Sequence, residues 1–287
     1  MKAGKPSRTA EATAFQRATE RRMPPGVRVL DDEYAERFLA PLRRAALAAS
    51  GPVARLEEAW LGLTPYVVCR HRYIDDRLRE ALRDGAEQVV VLGAGYDSRA
   101  YRFAEELAGR PVFEVDYPAT QARKERILEG MRKKGALPDA NVRHVSIDFQ
   151  HERLGDRLKA SGHRRDKRTF FAWEGVSMYL TRAAVKSTLD AVRELAPRGS
   201  DLVFDAWFLL DEPDLRATAH RLSANVLSVL GEPVTFSMHP EDVGAFLGRH
   251  GLSVAEIAGA DQLTARYLKG GRRHVYPACY LVHARIG

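Results

Sequence analysis

The turn Gly93-Ala94-Gly95-Tyr96-Asp97-Ser98-Arg99 follows a run of apolar, β-branched residues, Gln88-Val89-Val90-Val91-Leu92. Glycines there let the main chain turn tightly and approach a ligand closely. An acid, Asp116 in Glu114-Val115-Asp116-Tyr117, stands 23 residues past Gly93. A carboxylate so placed can accept both hydroxyls of a ribose, as in dinucleotide folds. Ser146-Ile147-Asp148-Phe149 offers a carboxylate for an exocyclic amine and a ring to pack on a purine; Trp173-Glu174-Gly175-Val176 adds a fourth polar turn. A lone G-x-G is a weak signal, and Asp116 alone could be a helix cap. Four ligand-capable turns, each at the carboxyl end of a strand, point together to a nucleoside.

Which nucleoside is narrowed by what is missing. A dinucleotide loop needs G-x-G-x-x-G to rest a pyrophosphate on a helix N-terminus, and Ser98 stands where the third glycine belongs. The acids Asp97, Asp116, Asp148 and Glu174 would crowd the mouth of such a site, which suits a ligand carrying a sulfonium and an ammonium better than one carrying two phosphates. S-adenosyl-L-methionine has that charge pattern.

Four runs carry a resemblance: Arg70-His71-Arg72-Tyr73-Ile74-Asp75-Asp76, the stretch from Gln88 to Arg102, Glu114-Val115-Asp116-Tyr117-Pro118, and Trp173-Glu174-Gly175-Val176-Ser177-Met178-Tyr179-Leu180. In this order they resemble the leucine carboxyl methyltransferase superfamily over roughly residues 10 to 210. The bacterial branch of that superfamily includes O-methyltransferases that tailor polyketides. The resemblance implies that Arg70 pairs with the carboxylate of S-adenosyl-L-methionine, and that Gly93, Ala94 and Gly95 pass against its methionyl part. It implies further that Asp116, beside Tyr117, holds the ribose, Asp148 with Phe149 the adenine, and Glu174 the amino-acid end. Arg70 has a physical case of its own, since a guanidinium matches a carboxylate bidentately. The family also sets a basic residue of its N-terminal helix against the cofactor; Arg17 is a loose match and is not assigned. Tyr96 and Tyr179 follow two of these motifs and are candidates to line an acceptor pocket, with aromatic core residues the plainer alternative. His239, in Phe236-Ser237-Met238-His239-Pro240, is a weak candidate for a general base. No HExxH, paired-cysteine or GxSxG arrangement occurs, so no metal site is expected.

To bring these turns together the chain needs a parallel sheet. From residue 86 onward short β-branched runs alternate with helical stretches, which predicts βαβ units. Strands are expected at Gln88–Leu92, Pro111–Val115, Val142–Ile147, Thr169–Ala172, Asp201–Ala206, Leu252–Ile257 and Val275–Ala284. The expected fold is α/β, a Rossmann-like class I methyltransferase fold with a seven-stranded, mostly parallel sheet and helices on both faces. Ile74, Leu78, Ala81 and Leu82 repeat at helical spacing before the first strand; Thr181 caps a helix striped by Val185, Leu189, Val192 and Leu195. Pro240 opens another helix and Gly251 closes it. Residues 1–85 read as a helical cover broken at Pro24-Pro25-Gly26, Pro41, Gly51-Pro52 and Pro65. Residues 86–287 read as the core, with a helical insertion at about 207–250.

Composition agrees with a folded enzyme: 287 residues, 45% hydrophobic and 29% charged. No apolar run approaches the roughly 18 residues of a membrane span, and the first residues lack an apolar secretion signal, so a cytoplasmic location is expected. Cys69 and Cys279 read as buried apolar residues. Of the net charge of +7, Lys2, Lys5, Arg8, Arg17, Arg21, Arg22 and Arg28, against Glu11 and Glu20, supply most. Without the aromatic pattern of a nucleic-acid module, this arm reads as a solvated leader or a helix with a charged outer face.

The function expected is transfer of a methyl group from S-adenosyl-L-methionine to a carboxylate or acidic hydroxyl of a small molecule, with secondary metabolism as a setting. The alternatives are a protein carboxyl methyltransferase, an RNA methyltransferase using the basic arm, a non-catalytic adenosine-ligand sensor and a nicotinamide oxidoreductase. The acceptor's identity and the oligomeric state are left open.

Overall fold

A computed structural model describes residues 6–49, 62–148, 151–208, 234–271 and 273–287. Their strands are β1 (Gln88–Leu92), β2 (Val112–Asp116), β3 (Val142–Ser146), β4 (Thr169–Trp173), β5 (Asp201–Trp207), β6 (Leu252–Ala258) and β7 (Cys279–Ile286). They form one sheet in the order β3-β2-β1-β4-β5-β7-β6. All pairings are parallel except those of β7, which runs antiparallel to both β5 and β6. The chain winds outward from β1 to β3, then returns to lay β4 on the other side of β1. That reversal opens a crevice at the carboxyl ends of β1 and β4.

Both faces of the sheet are covered, which is why its central strands carry apolar residues at every position. Val89 and Val91 of β1 pack into one core, and Val90 and Leu92 into the other. Over the first face lie α1 (Arg8–Arg21), α2 (Pro41–Ala49), α3 (Leu63–Arg83), α6 (Pro118–Arg132) and α10 (Ala260–Tyr267). Two single-turn helices, α4 (Arg99–Arg102) and α5 (Ala104–Leu107), follow the glycine turn. Over the second face lie α7 (Leu154–Ala160), α8 (Arg182–Leu195) and α9 (Val243–Gly248). Thr181 accepts from the Ala184 N–H to cap α8, and both cysteines are buried. No helix of the described residues is long and apolar enough to cross a membrane.

Several expectations need correction. The last strand begins at Cys279, not Val275, because Pro277 has no N–H to give a ladder; Val275 and Tyr276 instead pack into the first core. Strand two runs one residue further, so Asp116 is its final residue. Pro65 does not break the chain but lies in the first turn of α3, where its missing N–H costs no helical bond. Pro240 opens a 3-10 turn that leads into α9. Most of the expected helical insertion, residues 209–233, lies outside the described residues, as do Gly51 and Pro52. Of the two readings of the basic arm, its described part is the helix: α1 buries Glu11, Arg17 and Glu20 on one side and leaves Arg21 exposed on the other. Glu20 pairs with Arg273 at 2.5 Å, and Arg17 with Asp32 at 2.9 Å.

Helix α3 is fixed to the glycine turn by a buried carboxylate. Asp75 accepts from Arg99 Nε at 2.7 Å and from Arg102 Nη1 at 2.7 Å. Against the upward push of burial, the guanidinia of Arg102 and Arg99 hold its carboxyl down at about 2. Removing one member of a buried ion pair typically costs about 3–5 kcal/mol, whereas an exposed pair contributes about 0–1 kcal/mol. Asp75→Asn should therefore lower the free energy of urea unfolding by about 3–5 kcal/mol. Glu129→Gln, whose partners Arg132 and Lys133 are exposed, should change it by no more than about 1 kcal/mol.

Candidate functional site

A cavity of about 410 Å³ opens where β1 and β4 end, and α1 closes over it. That size lies within the range of about 300–1,000 Å³ usual for small-molecule sites. The glycine turn forms its floor. The amides of Gly93 and Ala94 both donate to the Val115 carbonyl, at 2.8 and 3.0 Å, which pins the turn to β2. Gly93 and Gly95 adopt φ of 68° and 49°. A Cβ on Gly93 would collide with Val176, and one on Gly95 would lie 3.1 Å from the Cβ of Ala10 in α1. The turn thus needs glycine both for its conformation and for the two elements packed on it.

On one side of the cavity stands Asp116, whose two oxygens accept from the Gly95 and Tyr117 amides. Burial pushes its carboxyl up to about 6, against the pull of those N–H groups and of Lys124. On the other side lies a cluster of buried charges. Glu174 meets Arg70 Nε at 3.0 Å, Arg99 Nη2 at 2.8 Å and His71 Nδ1 at 3.0 Å. Arg99 also pairs with Asp97 and Asp75. Although burial favours the neutral acid, His71, Arg99 and Arg70 hold Glu174 well below the usual carboxylate range. Arg102 lies 2.9 Å from His71 Nε2. A guanidinium can only donate, so that nitrogen is the acceptor and Nδ1–H donates to Glu174. Burial and the nearby Arg99 lower the His71 pKa, consistent with a neutral ring.

The cavity brings together Arg70, Gly93, Ala94, Gly95, Tyr96, Asp116, Tyr117, Asp148, Glu174 and Tyr179. Tyr96 contributes to the wall, but its ring stacks on Phe38 at 5.3 Å, which is a core role. Asp148 sits at the rim, paired with His151 at 3.0 Å. Phe149 lies outside the described residues. His239 is not among the residues lining the cavity; it precedes the 3-10 turn at Pro240 and packs against Phe208 at 5.5 Å. The four acids expected at the mouth, Asp97, Asp116, Asp148 and Glu174, all line the cavity, with Asp97 and Glu174 paired to Arg99. Arg17 does reach the cavity: its Nη2 donates to the Tyr96 carbonyl at 2.6 Å. Asp205, which sequence reading passed over, accepts from Arg70 at 2.8 Å. A carboxylate inside a strand as apolar as β5 is itself a signal, since such a group must be paired.

The model of the leucine carboxyl methyltransferase family matches residues 10–193. The chain belongs to that family. This family member is an S-adenosyl-L-methionine-dependent methyltransferase, as its relatives' names agree. It is 30% identical to a Mycobacterium sp. (strain JLS) protein inferred to be such an enzyme, over 91% of this chain and 93% of that one. It is 29% identical to the similarly inferred YktD of Bacillus subtilis, over 79% of this chain and 74% of YktD. The crystal structure of a DUF574 family protein from Streptomyces avermitilis shares the fold, with a TM-score of 0.61 and 14% identity over 96% of this chain and 97% of that one.

The residues present fit the cofactor of this methyltransferase. Asp116 offers acceptors for a ribose diol, and the Arg70–Glu174 pair offers one charge of each sign for an amino-acid end. The cavity is lined by four carboxylates, Asp97, Asp116, Asp148 and Glu174, against two guanidinia, those of Arg17 and Arg70. The excess negative charge favours a ligand with a net positive one.

A carboxylate that accepts ribose hydroxyls must be ionised. Affinity for S-adenosylhomocysteine, followed by calorimetry, should be flat above about pH 7 and fall as pH drops through the Asp116 pKa of about 6. Well below it the loss approaches about tenfold per pH unit. Asp116→Ala should abolish the ligand's thermal stabilisation.

Proposed function

We propose that this methyltransferase esterifies a carboxylate, or alkylates an acidic hydroxyl, of a small molecule. In this reading Asp116 receives the ribose hydroxyls, with Tyr117 beside it, and Asp148 with Phe149 receives the adenine. Arg70 faces the carboxylate of the amino-acid end and Glu174 its ammonium, while Gly93, Ala94 and Gly95 give the main chain close approach. When bound, S-adenosyl-L-methionine supplies a methyl carbon on a sulfonium, open to displacement by an oxygen.

The observation that carries the acceptor class is the engagement of the cavity's deep titratable groups. Glu174 and Asp97 are held by arginines, and His71 is locked between Glu174 and Arg102. None of the three is poised to take a proton from an acceptor. Asp116 has a raised pKa, but in this reading its remaining acceptor sites are taken by the ribose hydroxyls. An acceptor ionised beforehand requires no base: a carboxylic acid with a pKa of about 4 qualifies at neutral pH, and a phenol near 10 does not. The chain's contribution is then alignment and exclusion of water, and positioning of this kind can supply roughly 7–11 kcal/mol of barrier lowering. Val176, Tyr179 and Leu180, together at one wall, suit the apolar body of such an acceptor.

Labelled methyl transfer to panels of small carboxylic acids, phenols and carboxyl-terminal peptides tests the proposal. It expects base-labile methyl esters of small acids, formed at a rate that does not rise between pH 7 and 9. Products confined to phenols, with a rate climbing about tenfold per pH unit, or confined to peptides, would overturn it.

A further inference from the structure

Asp205 is completely buried in β5, between Phe204 and Ala206, yet is ionisable and touches no ligand-facing surface of the cavity. Burying a carboxylate costs several kcal/mol unless its lone pairs are well used. Those of Asp205 are. Oδ1 accepts from the Gly175 amide at 2.6 Å, and Oδ2 accepts from Tyr66 Oη at 2.8 Å and from Arg70 Nη1 at 2.8 Å. Its main-chain carbonyl also accepts from Ser177 Oγ at 2.6 Å. One residue therefore holds both the arginine and the turn that carries Glu174.

The geometry leaves little slack between those two elements. Gly175 has a φ of 67°, and a Cβ there would lie 3.1 Å from Arg70 Nη2. Arg70 reaches Asp205 with Nη1 and Glu174 with Nε, so its guanidinium spans two carboxylates, one within β5 and one just past the end of β4. Were the Asp205 charge removed, the guanidinium would be free to turn onto Glu174 alone and form the paired, fork-like contact that arginine and carboxylate favour. That movement would consume the acid that is to receive an ammonium. It would also draw the guanidinium away from a ligand's carboxylate.

We infer that Asp205 is a positioning residue that keeps Arg70 and Glu174 apart and so sets the enzyme's selectivity for a ligand with an amino-acid end. The inference rests on the proposed roles of Arg70 and Glu174. It differs from a purely structural role in what it predicts for two ligands that share an adenosine and differ at the sulfur: S-adenosylhomocysteine carries the amino-acid end, and 5′-methylthioadenosine lacks it.

Calorimetric titration of both ligands into wild type, Asp205→Asn and Arg70→Ala, with circular dichroism to verify folding, tests the inference. Asparagine can still accept from the Gly175 amide, so the turn keeps its main-chain anchor. Asp205→Asn should weaken S-adenosylhomocysteine by about 10-fold or more, the scale seen when a partner that orients a binding residue is lost, and leave 5′-methylthioadenosine within about twofold. Should Asp205→Asn not fold, Tyr66→Phe, which removes one donor from the same carboxylate, should give the same selective loss on a smaller scale. Equal weakening of both ligands, or unchanged S-adenosylhomocysteine binding, overturns the inference. If Arg70→Ala loses the selectivity and Asp205→Asn keeps it, the role of Arg70 stands and that of Asp205 falls. If Arg70→Ala keeps it, both fall.

Discussion

The guanidinium of Arg99 is the point at which this structure is tied together. It is 1% exposed and meets three carboxylates from three elements: Asp75 of α3, Asp97 of the glycine turn and Glu174 at the end of β4. Charges taken out of water are costly, and the cost is recovered only in near-ideal geometry. Helix, turn and strand end are therefore constrained to one mutual arrangement. Two of the runs that carry the family resemblance, Arg70 to Asp76 and Gly93 to Arg102, interlock here, and this explains why residues of both that never meet a ligand are charged. From Arg99 the constraint spreads through Glu174 to Arg70 and Asp205, and through Asp75 to Arg102 and His71.

The same principle governs the cover of the site. Apart from Ala14 and Ala18, the buried residues of α1 are Glu11, Arg17 and Glu20, each held by a charged partner or a main-chain group. Ser7 ties the start of the helix to Thr120 of α6, and Arg17 ties its third turn to the glycine turn at Tyr96. Specific polar contacts place α1 over Gly95, where only a glycine leaves room for Ala10. Closing a site in this way strengthens every charge interaction inside it.

What the sequence made legible follows from the range of the interactions involved. The apolar run at Gln88–Leu92, the helical repeat of Ile74, Leu78 and Ala81, and the cap at Thr181 are local patterns, and each appears where it was read. The four strand-end turns converge on one cavity because strand order is dictated by the parallel crossovers. The start of β7 escapes a local reading, because Val275 and Tyr276 look like strand residues while Pro277 denies them a ladder. Glu174 is paired with Arg99 and Arg70, 75 and 104 residues away in the chain. Asp205 went unnoticed because its partners, Tyr66 and Arg70, are more than 130 residues distant. Pairings of that kind become visible only once the sheet has brought the elements together.

The geometry of one buried arginine, and not its charge alone, organises the site. Arg99→Lys keeps the charge but loses the planar fork that reaches three carboxylates at once. Calorimetric titration of S-adenosylhomocysteine into Arg99→Lys, with circular dichroism to confirm an α/β fold, is the most direct measurement. The account predicts a folded protein whose affinity is at least about tenfold below that of wild type; a folded protein with wild-type affinity would contradict it.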